Sequence, residues 1–179
     1  FVAHGIPKLG NFQSDSAQST EMQAAVMNRQ MDASFDWTAL ARLRDLWKDK
    51  LIVKGLLRKD DAQRCAQMGI DAVILSTHGG RQLDDAMPPM AVLPEVVDGL
   101  GIPVLIDSGI RRGTDVVKAL CLGASMTGIG RPALYAVAAH GEEGVDALIA
   151  ILRDEMDRGL ALVGATDLPG LDASLMRRI

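Results

Sequence analysis

Apolar and polar positions along the chain fall into two regimes. Through residue 34 the pattern is irregular and rich in Ser, Gln, Asn and Met, and the run Gly5–Asn11 reads as loop. Only Glu21–Met31 shows helical spacing there, with Met22, Val26 and Met27 on one side. Such a tract ahead of regular units reads as an excursion from a scaffold or a disordered segment. From Asp36 the pattern becomes regular. Asp36 is placed to cap a helix whose apolar positions Leu40, Leu43 and Trp47 recur at helical spacing. Four short runs follow: Leu51–Val53, Ala72–Leu75, Pro103–Ile106 and Ser125–Ile129. Each is nearly all apolar rather than alternating, the pattern of parallel strands buried on both faces. Helices are predicted over Lys59–Met68, Met90–Gly99 and Thr114–Leu122, with Gly69 and Gly123 as left-handed residues closing the first and third. A longer amphipathic helix, about Gly144–Val163, carries Leu148, Ile151, Leu152, Met156, Leu160 and Leu162 as its apolar positions. Alternating strand and helix predict an α/β domain with a parallel sheet.

Composition narrows the function. Hydrophobic residues make up 48% and charged residues 23% of the 179 positions, an ordinary soluble globular balance. Nineteen Lys and Arg against 23 Asp and Glu give a net charge of −4, which lacks the concentrated positive field that nucleic acid demands. No run of about 18 apolar residues is present to span a bilayer as a helix. Cys65 and Cys121 lie far apart within helical patterns, without a CxxC pair or a Cys/His cluster. They read as buried, reduced thiols of a cytoplasmic protein, with no metal site expected. The chain begins at Phe1 without a signal-peptide pattern and reads as a piece of something longer.

The informative positions follow the strands, because active groups in parallel α/β folds gather at strand carboxyl ends. Lys54 ends the first run, Ser76, His78 and Arg81 follow the second, Asp107–Arg111 follows the third, and Gly130-Arg131-Pro132 follows the fourth. Any one of these taken alone is ordinary: a strand-end Lys is commonly a solvated charge, and Asp107 alone fits a helix cap. Four at one rim indicate a ligand site. Asp115 and Lys118 fit an exposed helical face and receive no catalytic part. Gly109 and Gly130 permit close backbone approach, and Arg111 and Arg131 offer forks suited to a phosphate monoester. His78 is suited to proton transfer near neutral pH, with Arg81 three residues on to clamp a carboxylate. Lys54 can hold its cation against a cofactor atom that becomes negative on reduction. A phosphate-bearing cofactor and a carboxylate substrate losing protons and electrons follow from this set.

At these residues the sequence resembles the FMN-dependent α-hydroxy acid dehydrogenase/oxidase family, which includes glycolate oxidases and lactate dehydrogenases. Ser76–Asp84 is similar to that family's segment around the catalytic histidine, and Asp107–Ala124 with Gly128–Pro132 to its phosphate loops. Glu21–Ala25, Arg29–Phe35 and Ser108, which stands where most of the family has Gly, resemble its mandelate dehydrogenase branch. The resemblance, from about Glu21 to the C-terminus, implies FMN at the C-terminal face of a TIM (β/α)₈ barrel. Lys54 would then contact the flavin N1/O2 side, and Ser76 would contact the flavin too. His78 would be the base and Arg81 the substrate clamp. Asp107, Ser108, Gly109, Ile110, Arg111, Gly130 and Arg131 would hold the ribityl phosphate. It further implies a small L-2-hydroxy acid substrate, a quinone, cytochrome or oxygen as electron acceptor, and a homo-oligomer. Peripheral contact with the inner face of the membrane, through Phe1, Val2, Ile6, Leu9 and Phe12, is a secondary expectation.

Two departures stand out. Thr77 replaces the Asn usual before the histidine, and the family's early-strand tyrosines and aspartate have no counterpart, Tyr135 lying after the last strand. The pattern supplies four strand–helix units where a closed barrel needs eight. The chain is therefore expected to be the C-terminal half of the barrel over 35–179, with 1–34 as the connection after the fourth barrel strand. Such a half carries half the site and exposes two sheet edges. The rival readings are another phosphate-binding TIM-barrel enzyme, which leaves the His78/Arg81 pair unexplained, and an inactive flavin-binding fragment.

Overall fold

Buried β-branched and leucine side chains organise the fold around two central strands. A computed structural model of the chain describes residues 21, 22, 25 and 33–176. It divides into two compact units, 1–43 and 44–179. In the first, Glu21, Met22 and Ala25 are helical. The remainder of the Glu21–Met31 helix, the Gly5–Asn11 loop and the apolar residues named for membrane contact lie outside the described residues. The Asp36 carboxylate accepts the Ala39 N–H at 2.8 Å and opens α1 (Trp37–Leu46), as its position predicts.

The second unit alternates β1 (Ile52–Leu56), α2 (Lys59–Gln67), β2 (Ala72–Leu75), α3 (Pro89–Val97), β3 (Val104–Ile106), α4 (Gly113–Cys121), β4 (Met126–Thr127) and α5 (Arg131–Val163). The four strands form one parallel sheet in sequence order, with Val73 opposite Val104 and Leu105 opposite Met126. Val73, Leu75 and Ile106 are wholly buried, as continuous apolar strands require. The outer strands depart from that expectation, because each has a strand neighbour on one side only among the described residues. Ile52 and Met126 consequently remain 46% and 61% exposed. Helices cover the sheet through Ala62 and Cys65 of α2, Leu93 and Val96 of α3, and Val117 and Ala119 of α4.

Boundaries differ from the sequence reading where backbone detail intervenes. β1 does not stop before Lys54: it continues to Leu56, because Gly55 at φ +102° forms an irregularity that lets Leu56 pair with Leu75. β4 shrinks to two residues. Gly69 and Gly123 take the left-handed conformation after α2 and α4, as predicted. The final helix begins at Arg131, not near Gly144, and is broken at His140 and Gly141 into segments 131–139 and 142–163. A Cβ on Gly144 would lie 2.1 Å from the Ala136 carbonyl oxygen, so the two segments meet at backbone contact. Cys65 and Cys121 are free and buried. Burial, reinforced by the charges of Asp61 and Asp172 respectively, pushes both thiols above their ordinary value.

At the amino ends of the strands a carboxylate joins β1 to β2. Asp71 accepts from Arg44 at 3.0 Å, Lys50 at 2.8 Å and the Leu51 N–H at 2.9 Å. Hydrogen bonds from Lys50 and from Leu51 hold its carboxyl down at about 2, with Arg44 adding to them.

Candidate active site

Ser76, the residue after β2, is almost fully buried and fixes two groups with one hydroxyl. Its Oγ accepts from Lys54 Nζ at 2.6 Å and from the His78 N–H at 3.0 Å. The chain then turns through His78–Gly80, with His78 itself at φ +55°. Arg81 folds back over this turn: Nε donates to the His78 carbonyl at 3.1 Å, and one terminal nitrogen lies 3.0 Å from His78 Nε2. A guanidinium offers only donors, so Nε2 accepts there and a neutral ring carries its proton on Nδ1. The pairing deduced from a three-residue spacing is thus a direct contact.

Lys54 projects from within β1, and its ammonium lies 2.5 Å from Asp107 Oδ2 at the end of β3. Burial would raise the Asp107 carboxyl, but hydrogen bonds from Lys54, Ser76 and Ser108 and the Lys54 charge outweigh it and hold the group below its ordinary value. Ser108, expected among the phosphate contacts, turns its hydroxyl to the histidine loop instead. Its Oγ accepts from Thr77 N–H and Gly79 N–H, both at 3.1 Å, and donates to Asp107 Oδ1 at 2.8 Å.

The opposite wall is built by the start of α4. Asp115, which the sequence placed on an exposed face, accepts the N–H groups of Arg111 and Arg112 at 3.1 and 3.0 Å and so caps α4. Glu155 was missed. It is buried on α5, accepts the Gly113 N–H at 2.7 Å and pairs with Arg112 at 2.7 Å. Its signal was present: a carboxylate stands on the inner stripe of α5 between Leu152 and Gly159. Arg131, from the start of α5, reaches across to donate to the Gly79 carbonyl. Arg131 and the histidine loop are therefore joined.

These groups border one cleft of about 530 Å³, a volume typical of small-ligand sites. Lys54, His78, Arg81, Asp107, Ser108, Gly109, Ile110, Arg111, Gly130 and Arg131 all line it. Ser76 lines an adjoining space of about 310 Å³ shared with Lys54 and His78. Ile110 has its side chain buried, which leaves its backbone for the cleft. Among the described residues, four cationic residues (Lys54, Arg81, Arg111 and Arg131) line it against one carboxylate, Asp107. The space that a Cβ would occupy at Gly109 and at Gly130 is open, so a ligand can approach the backbone there. Guanidinium forks, open glycine backbone and an adjacent helix N-terminus are the donor set that a flavin phosphate requires. The residues present fit the group.

Comparisons with known proteins agree with this chemistry. A family model described as FMN-dependent dehydrogenase matches residues 4–178. The chain is 56% identical over 177 residues to the (S)-mandelate dehydrogenase of Pseudomonas putida, covering 99% of this chain and 45% of that protein. It is 41% identical over 180 residues to a peroxisomal (S)-2-hydroxyacid oxidase of Arabidopsis thaliana, covering 96% and 49%. The crystal structure of the monotopic membrane protein (S)-mandelate dehydrogenase superposes with a TM-score of 0.87 at 55% identity, over 100% of this chain and 48% of that one. The chain spans about half the length of the curated relatives it matches, and its four-stranded sheet is about half of a TIM barrel. With its cleft chemistry and these matches in agreement, the chain belongs to the FMN-dependent dehydrogenase family.

Proposed function

We propose that this chain supplies the phosphate-holding and proton-abstracting half of an FMN-dependent dehydrogenase or oxidase of small L-2-hydroxy acids, mandelate-like or lactate/glycolate-like. One observation carries the reading: Arg81 touches His78 Nε2 at 3.0 Å, on the same cleft that Lys54, Arg111 and Arg131 make cationic. A base beside a carboxylate-binding fork is what removal of a proton from a 2-hydroxy acid needs, and a phosphate cradle alone does not call for it.

Residues 35–179 are read as the C-terminal half of the FMN-binding barrel and 1–34 as the connection preceding it. Arg111, Arg131 and the backbone at Gly109 and Gly130 hold the ribityl phosphate, with Asp107, Ser108 and Ile110 shaping that loop. Lys54, aligned by Asp107 and Ser76, presents its cation to the flavin N1/O2 side. FMN, when bound, would supply the two-electron acceptor for oxidation of the alcohol carbon to a carbonyl. Arg81 clamps the substrate carboxylate and keeps a donor near His78. As Arg81 turns to the substrate carboxylate, the His78 Nε2 lone pair that it occupies in this structure is released to take one proton from the substrate. With the remaining hydrogen and electron pair going to the flavin, a 2-oxo acid is left.

The electrons pass on to a quinone, cytochrome or oxygen. The relatives include a cytochrome-linked L-lactate dehydrogenase of Saccharomyces cerevisiae and an L-lactate oxidase of a Nostoc species. No described helix is long and apolar enough to cross a membrane. The monotopic relative supports peripheral membrane association, and a place at the cytoplasmic face and a homo-oligomeric assembly are parts of the same proposal.

The test is an anaerobic titration of the FMN-loaded protein that carries this chain with (S)-mandelate, (S)-lactate and glycolate. Loss of the oxidised flavin's visible absorbance, with one 2-oxo acid formed per flavin, is expected from at least one of them. FMN binding without bleaching by any 2-hydroxy acid overturns the proposal in favour of a different phosphate-binding barrel or an inactive flavin-binding fragment.

A further inference from the structure

The loop that carries His78 has four successive backbone N–H groups to satisfy, at residues 77–80, and their partners are unequal. Gly80 N–H donates to the Thr77 carbonyl at 3.0 Å, a bond internal to the turn. His78 N–H goes to Ser76 Oγ at 3.0 Å. The other two, from Thr77 and Gly79, converge on one atom outside the loop, Ser108 Oγ, each at 3.1 Å. A hydroxyl has two lone pairs and one proton. Here all three are used, because the proton goes to Asp107 Oδ1 at 2.8 Å. Asp107 is held by Lys54 at 2.5 Å, so the lone pairs of Ser108 are aimed by a chain of contacts that begins on β1.

The backbone at Ser108 is left-handed, at φ +66°, a conformation that glycine adopts freely and a serine adopts only at a cost. Glycine itself occupies the next position, Gly109, at φ +99°. The Ser108 hydroxyl, with both lone pairs and its proton committed to the histidine loop and Asp107, has no free valence for a phosphate. The loop is also clasped from the far side, where Arg131 donates to the Gly79 carbonyl.

We infer that Ser108 is a positioning residue that ties the His78 loop to the Lys54–Asp107 pair and so sets where His78 Nε2 stands relative to the substrate. The inference rests on the reading of His78 as the base. It separates Ser108 from the cofactor contacts among which its place in the phosphate loop would put it. Without the hydroxyl, Thr77 and Gly79 lose their shared acceptor, and the turn between Ser76 and Arg81 is free to shift by the fraction of an ångström to which proton transfer is sensitive.

The experiment compares Ser108→Ala and Ser108→Gly with the wild type in the FMN-loaded protein. Three quantities are read: FMN dissociation, the single-turnover rate of flavin reduction, and its isotope effect with α-deuterated substrate. Both variants are expected to slow reduction about 10- to 100-fold, the range for residues that orient a reacting group, with FMN affinity within about threefold of wild type. The isotope effect is expected to be at least as large as in wild type, since the step that breaks the α-C–H bond is the one impaired. A smaller folded fraction would lower the amplitude and leave both the rate constant and the isotope effect unmoved. Ser108→Gly relieves the backbone conformation, so it tests the idea even if Ser108→Ala folds poorly. Reduction within about twofold of wild type in the folded variants overturns the inference, as does about a tenfold loss of FMN affinity with an unchanged reduction rate. A wild-type protein that binds FMN but is reduced by no 2-hydroxy acid overturns the functional reading and this inference together. Normal wild-type reduction with indifferent variants overturns this inference alone.

Discussion

Glu155 offers the sharpest energetic test of how the start of α4, beside the cleft, is held. Its carboxylate is buried, with the side chain 10% exposed, while its partner Arg112 is 70% exposed. The two bonds it accepts should therefore differ in worth. The ion pair to Arg112 faces water and contributes about 0–1 kcal/mol. The bond from the Gly113 N–H, at 2.7 Å and with Gly113 buried, is charge-assisted and contributes about 1.5–3 kcal/mol. Deleting its acceptor leaves a buried donor unsatisfied at the first residue of α4. A Cβ on Gly113 would lie 2.3 Å from the Leu152 carbonyl oxygen, so the start of α4 packs directly on the α5 backbone at this point. Glu155→Ala should accordingly destabilise the unit by about 2–4 kcal/mol. Glu155→Gln, whose amide oxygen can still accept from Gly113, should cost about 1 kcal/mol or less, and Arg112→Ala no more than that. Denaturant unfolding of the protein carrying this chain gives the magnitudes, and hydrogen exchange over 107–121 shows where the loss is felt. Equal destabilisation by the Gln and Ala variants, or an Arg112→Ala effect as large as that of Glu155→Ala, would refute the assignment of the energy to the buried bond.

Two further outcomes follow from the geometry. Asp71 titrates at about 2 in the folded chain, against 3.8 for an ordinary aspartate, because Lys50, Leu51 and Arg44 bind its charged form. A depressed folded value stabilises fully above the unfolded pKa and is lost as pH falls through the folded one. Wild type should thus lose stability between about pH 4 and pH 2 in excess of Asp71→Asn, and acid titrations that run parallel for the two proteins would contradict it. Arg81→Lys keeps the charge but loses the planar fork, so KM for the 2-hydroxy acid should rise about tenfold with a smaller change in kcat. An unchanged KM would remove Arg81 from carboxylate binding.

The sequence made the central strands and the chemistry at their ends legible because both are local signals. Ala72–Leu75 is a continuous apolar run, and the polar residues after it have no place in a core. What it hid depends on backbone geometry or on distant partners. Lys54 looked like a strand terminus because the Gly55 irregularity, which lets pairing resume at Leu56, has no periodic signature. The segment 131–139 received no element because the apolar spacing is clear only from about Gly144, although Pro132 is well suited to the first turn of a helix. His140 and Gly141 then mask its continuity with 142–163. Ser108 was assigned by its position in a phosphate loop, whereas its hydroxyl serves residues 29 and 31 positions earlier. Glu155 lies 42 positions from Gly113, a separation at which a carboxylate in an apolar stripe signals only that some partner exists.

In the proposed chemistry, removal of the substrate proton falls to His78, in a cleft whose other wall would hold the cofactor phosphate. It is tested most directly by single-turnover reduction of the FMN-loaded protein with its 2-hydroxy acid, comparing wild type with His78→Gln. Loss of a general base predicts reduction slower by about 10²- to 10⁴-fold, while FMN binding through Arg111 and Arg131 is preserved. Flavin reduction by the His78→Gln protein at the wild-type rate would contradict the account.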